Sequence, residues 1–147
     1  MTRDKTKYRL NEKAINQLMS QSKILNLATI SQNGMPHLVP MWFVLDEKIQ
    51  INFTSYHKSQ KIVNLKRDNR IVVMVESGIK YQELKGITIE GIAEIDNNKE
   101  LITQTVNAIT VKYGINRTAS DIDHMINKRV NVKIIPKKIT SWDLSKS

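Results

Sequence analysis

Apolar residues recur at helical spacing in Ala14, Ile15, Leu18 and Met19, just after Asn11, a residue suited to capping, and predict a first helix. A short aliphatic run over residues 24–30 predicts a strand, and the Asn33-Gly34 pair behind it predicts a hairpin. The second arm of that hairpin spans about residues 37–45 and contains Pro40. Proline has no N–H to give to a ladder, so this strand must be interrupted there by an edge position or a bulge. After the Asp46-Glu47-Lys48 turn, Ile49, Ile51 and Phe53 alternate in a third strand over residues 49–54.

The period then changes. Ile62, Val63 and Leu65 sit among Lys61, Asn64, Lys66 and Arg67 as on a short amphipathic helix, residues 58–67. Residues 70–76 are nearly all aliphatic and predict a strand buried on both faces. A polar loop, residues 77–85, leads to a fifth strand over 86–95, with Ile87, Ile89, Ala93 and Ile95 on one face and Thr88, Glu90 and Glu94 on the other. Asn98 caps a longer helix that ends at Tyr113 and Gly114, and Ser120 caps a shorter one to Lys128. Val130, Val132 and Ile134 make a sixth strand, Pro136 breaks it, and residues 139–142 form a short last one. No repeat or linker divides residues 1–147. The expected fold is a single domain, mainly β with short α-helices, whose antiparallel strands close into a barrel.

The 147 residues are 40% apolar and 25% charged, as in soluble globular proteins. Cysteine is absent, which excludes disulfides, thiolate metal sites and cysteine nucleophiles. The charged start, residues 1–7, is followed by no apolar stretch, and no run approaches the ~18 apolar residues of a membrane span. A cytoplasmic protein without a membrane partner is expected. The net charge of +9 concentrates anions, and nucleic acid, phosphate-bearing cofactors and acidic lipids all qualify. The densest basic stretch is only Pro136-Lys137-Lys138, so a generally basic surface is preferred over a nucleic-acid-binding one.

Dinucleotide, phosphate-loop, zinc-protease and serine-hydrolase signatures are missing, and His37, His57 and His124 stand apart from any carboxylate at ligand spacing, so no metal is expected. No side chain stands out as a catalytic acid or base. A cofactor would have to supply the chemistry. The strand ending in Thr54 and Ser55 leads into the helix that starts near Lys58 or Ser59, which brings hydroxyls, Lys58, Lys61 and free backbone N–H groups to one helix end. Two readings fit: a phosphate cradle, or ordinary capping by Ser59 with solvated lysines.

The stretch Ala28-Thr29, turn, Gly34-Met35-Pro36-His37, then Pro40-Met41-Trp42-Phe43, resembles the first hairpin of the pyridoxamine 5′-phosphate oxidase-like superfamily. The segments Thr54 to Arg70, Lys85 to Glu94 and Ser141-Trp142-Asp143 extend the likeness in order and spacing. The resemblance implies a flavin-binding split β-barrel and a homodimer with two sites at its interface. Each site would hold flavin mononucleotide (FMN) or the deazaflavin coenzyme F-420 and pass a hydride to or from a small organic substrate. It places the cofactor phosphate on Lys58, Ser59 and Lys61, with Thr54 and Ser55 beside them, and the ring along Val39, Pro40, Met41 and Trp42. Tyr81 and Trp142 would reach it across the dimer interface. Gln60 stands where FMN enzymes of this kind often carry arginine. Non-catalytic flavin or haem carriage or sensing, and a basic nucleic-acid module, are the competing functions.

Overall fold

The computed structural model describes residues 5–147. Residues 1–4, part of the charged start noted in the sequence, lie outside them. Seven antiparallel strands form one curled sheet: β1 (Leu25–Ile30), β2 (Pro36–Met41), β3 (Val44–Leu45), β4 (Ile51–Tyr56), β5 (Arg70–Ser77), β6 (Lys85–Asp96) and β7 (Arg129–Asp143). Their order is β2-β1-β5-β6-β7-β4-β3. The two edges, β2 and β3, are consecutive in the chain and joined only by Trp42 and Phe43, so the barrel is split where the chain passes from one edge to the other.

Among the described residues four α-helices pack on the sheet: α1 (Glu12–Gln21), α2 (Gln60–Arg67), α3 (Lys99–Lys112) and α4 (Ala119–Lys128). Asn11 and Asn98 cap α1 and α3 as their positions predict, accepting from the Ala14 and Leu101 N–H groups. Thr118, not Ser120, caps α4, because a reciprocal box with Asp121 satisfies two backbone donors there.

The main core runs from Leu18 and Met19 of α1 through Leu25, Leu27, Phe43, Phe53, Ile62, Val73, Ile87 and Val132. Ile102, Val106 and Ile126 form a second, smaller cluster that ties α3 to α4. A buried polar chain seats α3 on the sheet. The Thr105 hydroxyl bonds Asn131 Oδ1 at 2.6 Å, the Asn131 amide donates to Asn52 at 3.0 Å, and the Asn52 amide donates to Asp46 at 3.0 Å. The hydrogen bonds of Asp46 outweigh its partial burial and hold its carboxyl below the usual range.

Several strand expectations change in detail. The hairpin turn over Ser31–Gly34 is closed by the Gly34 N–H on the Ser31 carbonyl at 2.8 Å, and of the Asn33-Gly34 pair only Gly34 has a left-handed φ (83°). Pro40 stays within β2, opposite Asn26, because β2 is an edge strand whose proline needs no outward donor. The interruption falls instead at Trp42 and Phe43. Ile49 is not in a strand. It occupies the turn with φ 60° and is 44% exposed, and β4 begins at Ile51. Strand β5 buries only alternate residues, with Val72 37% exposed and Met74 half-buried, because no helix covers its outer face. Pro136 does not end a strand either: β7 runs on for 15 residues, and a register shift opposite Glu90/Gly91 accommodates the proline. A Cβ on Gly91 would collide with the Ile135 carbonyl, which explains glycine at the bulge.

Candidate functional site

A cavity of about 370 Å³ opens at the split. Pro40, Met41 and Trp42 line it from the end of β2 and the residue that follows, Val106, Ile109 and Met125 from α3 and α4, and Thr54, Arg117 and Arg129 add the polar part. Its aromatic edge is fixed by Tyr113, the residue that ends α3. The Tyr113 ring stacks on Trp42 at 4.4 Å and 14°, its hydroxyl donates to the Lys23 carbonyl at 2.6 Å, and it accepts from the Phe43 N–H at 3.1 Å. Lys112 Nζ bonds the Phe43 carbonyl at 3.0 Å and stands 3.8 Å above the Phe43 ring. Burial, with Lys23 nearby, pulls the Lys112 ammonium down to about 8, and burial raises the Tyr113 phenol. The missing sheet bond between β2 and β3 is thus replaced by a side-chain staple from α3.

Beside Thr54 the strand β4 hands over to α2. Ser59 occupies the cap position but makes no side-chain cap, since its hydroxyl bonds Ser55 Oγ at 2.9 Å, and Lys61 Nζ donates to the same Ser55 Oγ at 3.2 Å. The capping reading therefore fails: the hydroxyl it needs is turned toward Ser55. Arg129, opposite Tyr56 at the start of β7, donates to the Thr54 carbonyl at 3.2 Å. Burial first, and then Arg129, lowers the Lys61 ammonium, while burial and then Arg117 lower Arg129. Lys61, Arg129 and Arg117 thus form a row of cations felt one by the next. No ion pair joins any of them to a carboxylate among the described residues.

The expected site residues separate into groups. Pro40, Met41, Trp42 and Thr54 line the cavity, and Ser55, Ser59 and Lys61 form the hydrogen-bonded cluster next to it. Val39 turns inward opposite Leu27 and packs on the core. Lys58 is exposed in the turn ahead of α2, which starts at Gln60. Tyr81 and Trp142 line a second cleft of about 710 Å³ with Tyr8, Leu10 and Leu144, which shares no lining residue with the first. There the Trp142 ring packs against Gly86, where a Cβ would come within 2.5 Å of it. Met125 is both packing and cavity lining, and Met74 is half-buried on β5 outside the core cluster. Arg117, Arg129 and Tyr113 went unrecognised in the sequence. Arg129 had a faint signal, a lone cation between a helix end and an apolar strand; the other two had none.

A seven-stranded antiparallel sheet curled so that its two edges, β2 and β3, meet at Trp42 and Phe43, with a cavity beside that opening, defines a split β-barrel. The sequence matches the family described as pyridoxamine 5′-phosphate oxidase over residues 12–143, and the chain belongs to that family. A conserved hypothetical protein of Mycobacterium tuberculosis is 34% identical, with a TM-score of 0.89 over 96% of this chain and 89% of the other. An F420 reductase (21% identity, TM-score 0.73, 89% and 98% covered) shares the fold. So does the haem storage protein HutZ of Vibrio cholerae (18%, 0.71, 91% and 97%). No curated protein matches the sequence. Among the described residues no helix is long and apolar enough to cross a membrane.

Proposed function

We propose that this protein is a cofactor-dependent oxidoreductase that holds FMN or the deazaflavin F-420 and moves a hydride to or from a small organic substrate. The observation that carries the reading is the unpaired cation row beside an apolar, aromatic-edged cavity. A half-buried lysine and arginine without carboxylate partners are costly unless an anion arrives to satisfy them. Ser55, Ser59, Lys61, Thr54 and Arg129 would hold the phosphate, with the α2 amides freed by the diverted Ser59 hydroxyl adding donors. The flat ring would lie on the wall of Pro40, Met41 and Trp42, inside a volume in the usual range for ligand pockets. When bound, the cofactor supplies the hydride chemistry, and the chain's share is to bind, orient and exclude water.

The carboxylate-free, histidine-free lining supports a site in which no side chain acts as acid or base. It also fits a carrier, and the Met41 and Met125 thioethers in the lining would be the candidate ligands for a haem iron, so haem is the second reading. Two copies would associate through the outer sheet face, where Leu38, Ala28 and Val72 stand in one cross-strand row and Leu38 is 69% exposed. In such a homodimer Tyr81 and Trp142 would approach the partner's site.

Titration of the purified protein and of Lys61→Ala with FMN, F-420 and haem, followed by absorbance, tests the assignment. The lost charge-assisted bond is worth about 1.5–3 kcal/mol, or roughly 10- to 150-fold in affinity. Unchanged flavin and deazaflavin affinity in Lys61→Ala removes the phosphate site, and a Soret band with no flavin binding replaces the reading with haem.

A further inference from the structure

We propose that Lys112 is a covalent modification site, an acceptor for the acyl group of small acyl phosphates, and that its acylation loosens the staple at the split of the barrel. Lys112 ends α3 half-buried, with Nζ 3.0 Å from the Phe43 carbonyl and 3.8 Å from the centroid of the Phe43 ring. Among the described residues no carboxylate pairs with it. The titratable groups beside it are Lys23 and Tyr113. Lys112 Nζ stands 5.3 Å and Lys23 Nζ 5.4 Å from the Tyr113 ring centroid, and Lys23 Nζ donates to the Lys112 carbonyl at 2.9 Å. The Tyr113 hydroxyl is itself held by the Lys23 carbonyl and the Phe43 N–H.

Two ammonium groups without a counter-ion attract an anionic reagent. An acyl phosphate can set its phosphate against exposed Lys23 while its carbonyl carbon meets Lys112. The transfer needs the neutral amine, and burial with Lys23 nearby supplies it. Lying near 8, Lys112 is about half free amine at pH 8, against roughly a few tenths of a per cent for a lysine at the ordinary 10.5. As a neutral amine it keeps one N–H on the Phe43 carbonyl, which turns its lone pair away from that oxygen. The lone pair attacks the acyl carbon, the bond from that carbon to the phosphate oxygen breaks, inorganic phosphate leaves against Lys23, and the surplus proton on Nζ passes to water. The product is a neutral amide. It has one N–H where the ammonium had three, it loses the attraction of a cation for the ring face, and its acyl group adds bulk beside the fully buried Phe43. Trp42 and Phe43 alone join β2 to β3, and Trp42 lines the cavity and stacks on Tyr113, so a modification at the end of α3 reaches the cavity lining without touching the cation row.

The test treats the purified protein with acetyl phosphate at pH 8, stops at low conversion and maps acetyl-lysine by peptide mass spectrometry. The free-amine ratio is about a hundredfold or more, and lower basicity and partial burial offset part of it, so Lys112 should label at least about tenfold faster than the exposed Lys58 and Lys66. The ratio should shrink as pH rises toward 10, because Lys112 is by then already deprotonated. Lys23→Gln should slow labelling of Lys112 by acetyl phosphate more than by acetylimidazole, which carries no phosphate. Lys112→Gln, which stands in for the acylated side chain, should lower the urea midpoint, and Lys112→Arg, which keeps the cation, should stay closer to wild type. Labelling of Lys112 no faster than of Lys58 and Lys66 overturns the site. Equal effects of Lys23→Gln on the two reagents overturn the docking of phosphate at Lys23, and a Lys112→Gln midpoint equal to wild type overturns the link to the split.

Discussion

Replacing Tyr113 by phenylalanine isolates the staple that holds the split barrel. The ring stays, so the stack on Trp42 at 4.4 Å is preserved, and Lys112 still satisfies the Phe43 carbonyl at 3.0 Å. The hydroxyl's contacts are lost: its donation to the Lys23 carbonyl at 2.6 Å, with the Phe43 carbonyl at 3.2 Å as the alternative acceptor for the same proton, where Lys23 is exposed and its carbonyl can turn to water, and its acceptance from the N–H of fully buried Phe43. The first is worth about 0.5–1.5 kcal/mol, and an unsatisfied buried N–H costs about 1–3 kcal/mol. Relaxation lets some water reach the split, so Tyr113→Phe should destabilise by about 2 kcal/mol. For a domain of this size that lowers Tm by roughly 4–8 °C. Urea unfolding followed by far-UV circular dichroism should show a lower midpoint at unchanged slope, the mark of a stability change without a change in exposed surface. A Tyr113→Phe variant within about 0.3 kcal/mol of wild type would show that the β2 and β3 edges are held together by core packing around Phe43 alone.

The depressed Lys112 ammonium, near 8 against 10.5 in an unfolded chain, means that between those values the unfolded state binds the extra proton. Stability should therefore rise as pH goes from about 8 toward 10, by less than the full shift implies because the group is half in solvent, and Lys112→Met should flatten that rise in a pH series of urea midpoints. Light scattering at micromolar concentration should return twice the 16.9 kDa chain mass, and Leu38→Glu combined with Val72→Glu should return the single mass; a wild-type monomer refutes the outer-face interface.

Local pattern revealed most of the elements because caps, turns and periodicity are written within a few residues of where they act. Asn11, Asn98 and Gly34 are cases in which one side chain or one φ angle decides the outcome. The misreadings share a different physics. Pro136 looks like a strand end until β6 is seen to supply a bulge opposite it, more than forty residues away. Residues 70–76 look doubly buried because composition alone does not say whether a helix will cover the second face. The family resemblance implied a split barrel, but the pattern of apolar positions could not place the split between β2 and β3, because its edges are defined by which strands fail to pair, and that depends on the whole strand order.

The candidate site shows the same division, and it changes how the charge of the chain is read. Thr54, Ser55, Ser59 and Lys61 are close in sequence and were legible together, but Arg117 and Arg129 come from the other end of the chain and join them only through the β4–β7 pairing and the Arg117 hydrogen bond to Thr110. A formal charge of +9 says little by itself, since Lys66 and Arg67 on the exposed side of α2 add to it as much as Lys61 does. What separates a solvated basic surface from an anion site is whether the cations are desolvated and left without carboxylates. Lys66 and Lys58 stand in water, where their charges cost nothing and are screened beyond ~8–10 Å at physiological salt. Lys61, Arg129 and Arg117 are partly buried without a carboxylate partner among the described residues, and under the proposed function this unfavourable arrangement turns favourable when anions occupy it. Their mutual repulsion is thus a reserve that ligand binding releases, so anion affinity at this site should be far less sensitive to salt than the long-range attraction of the surface lysines.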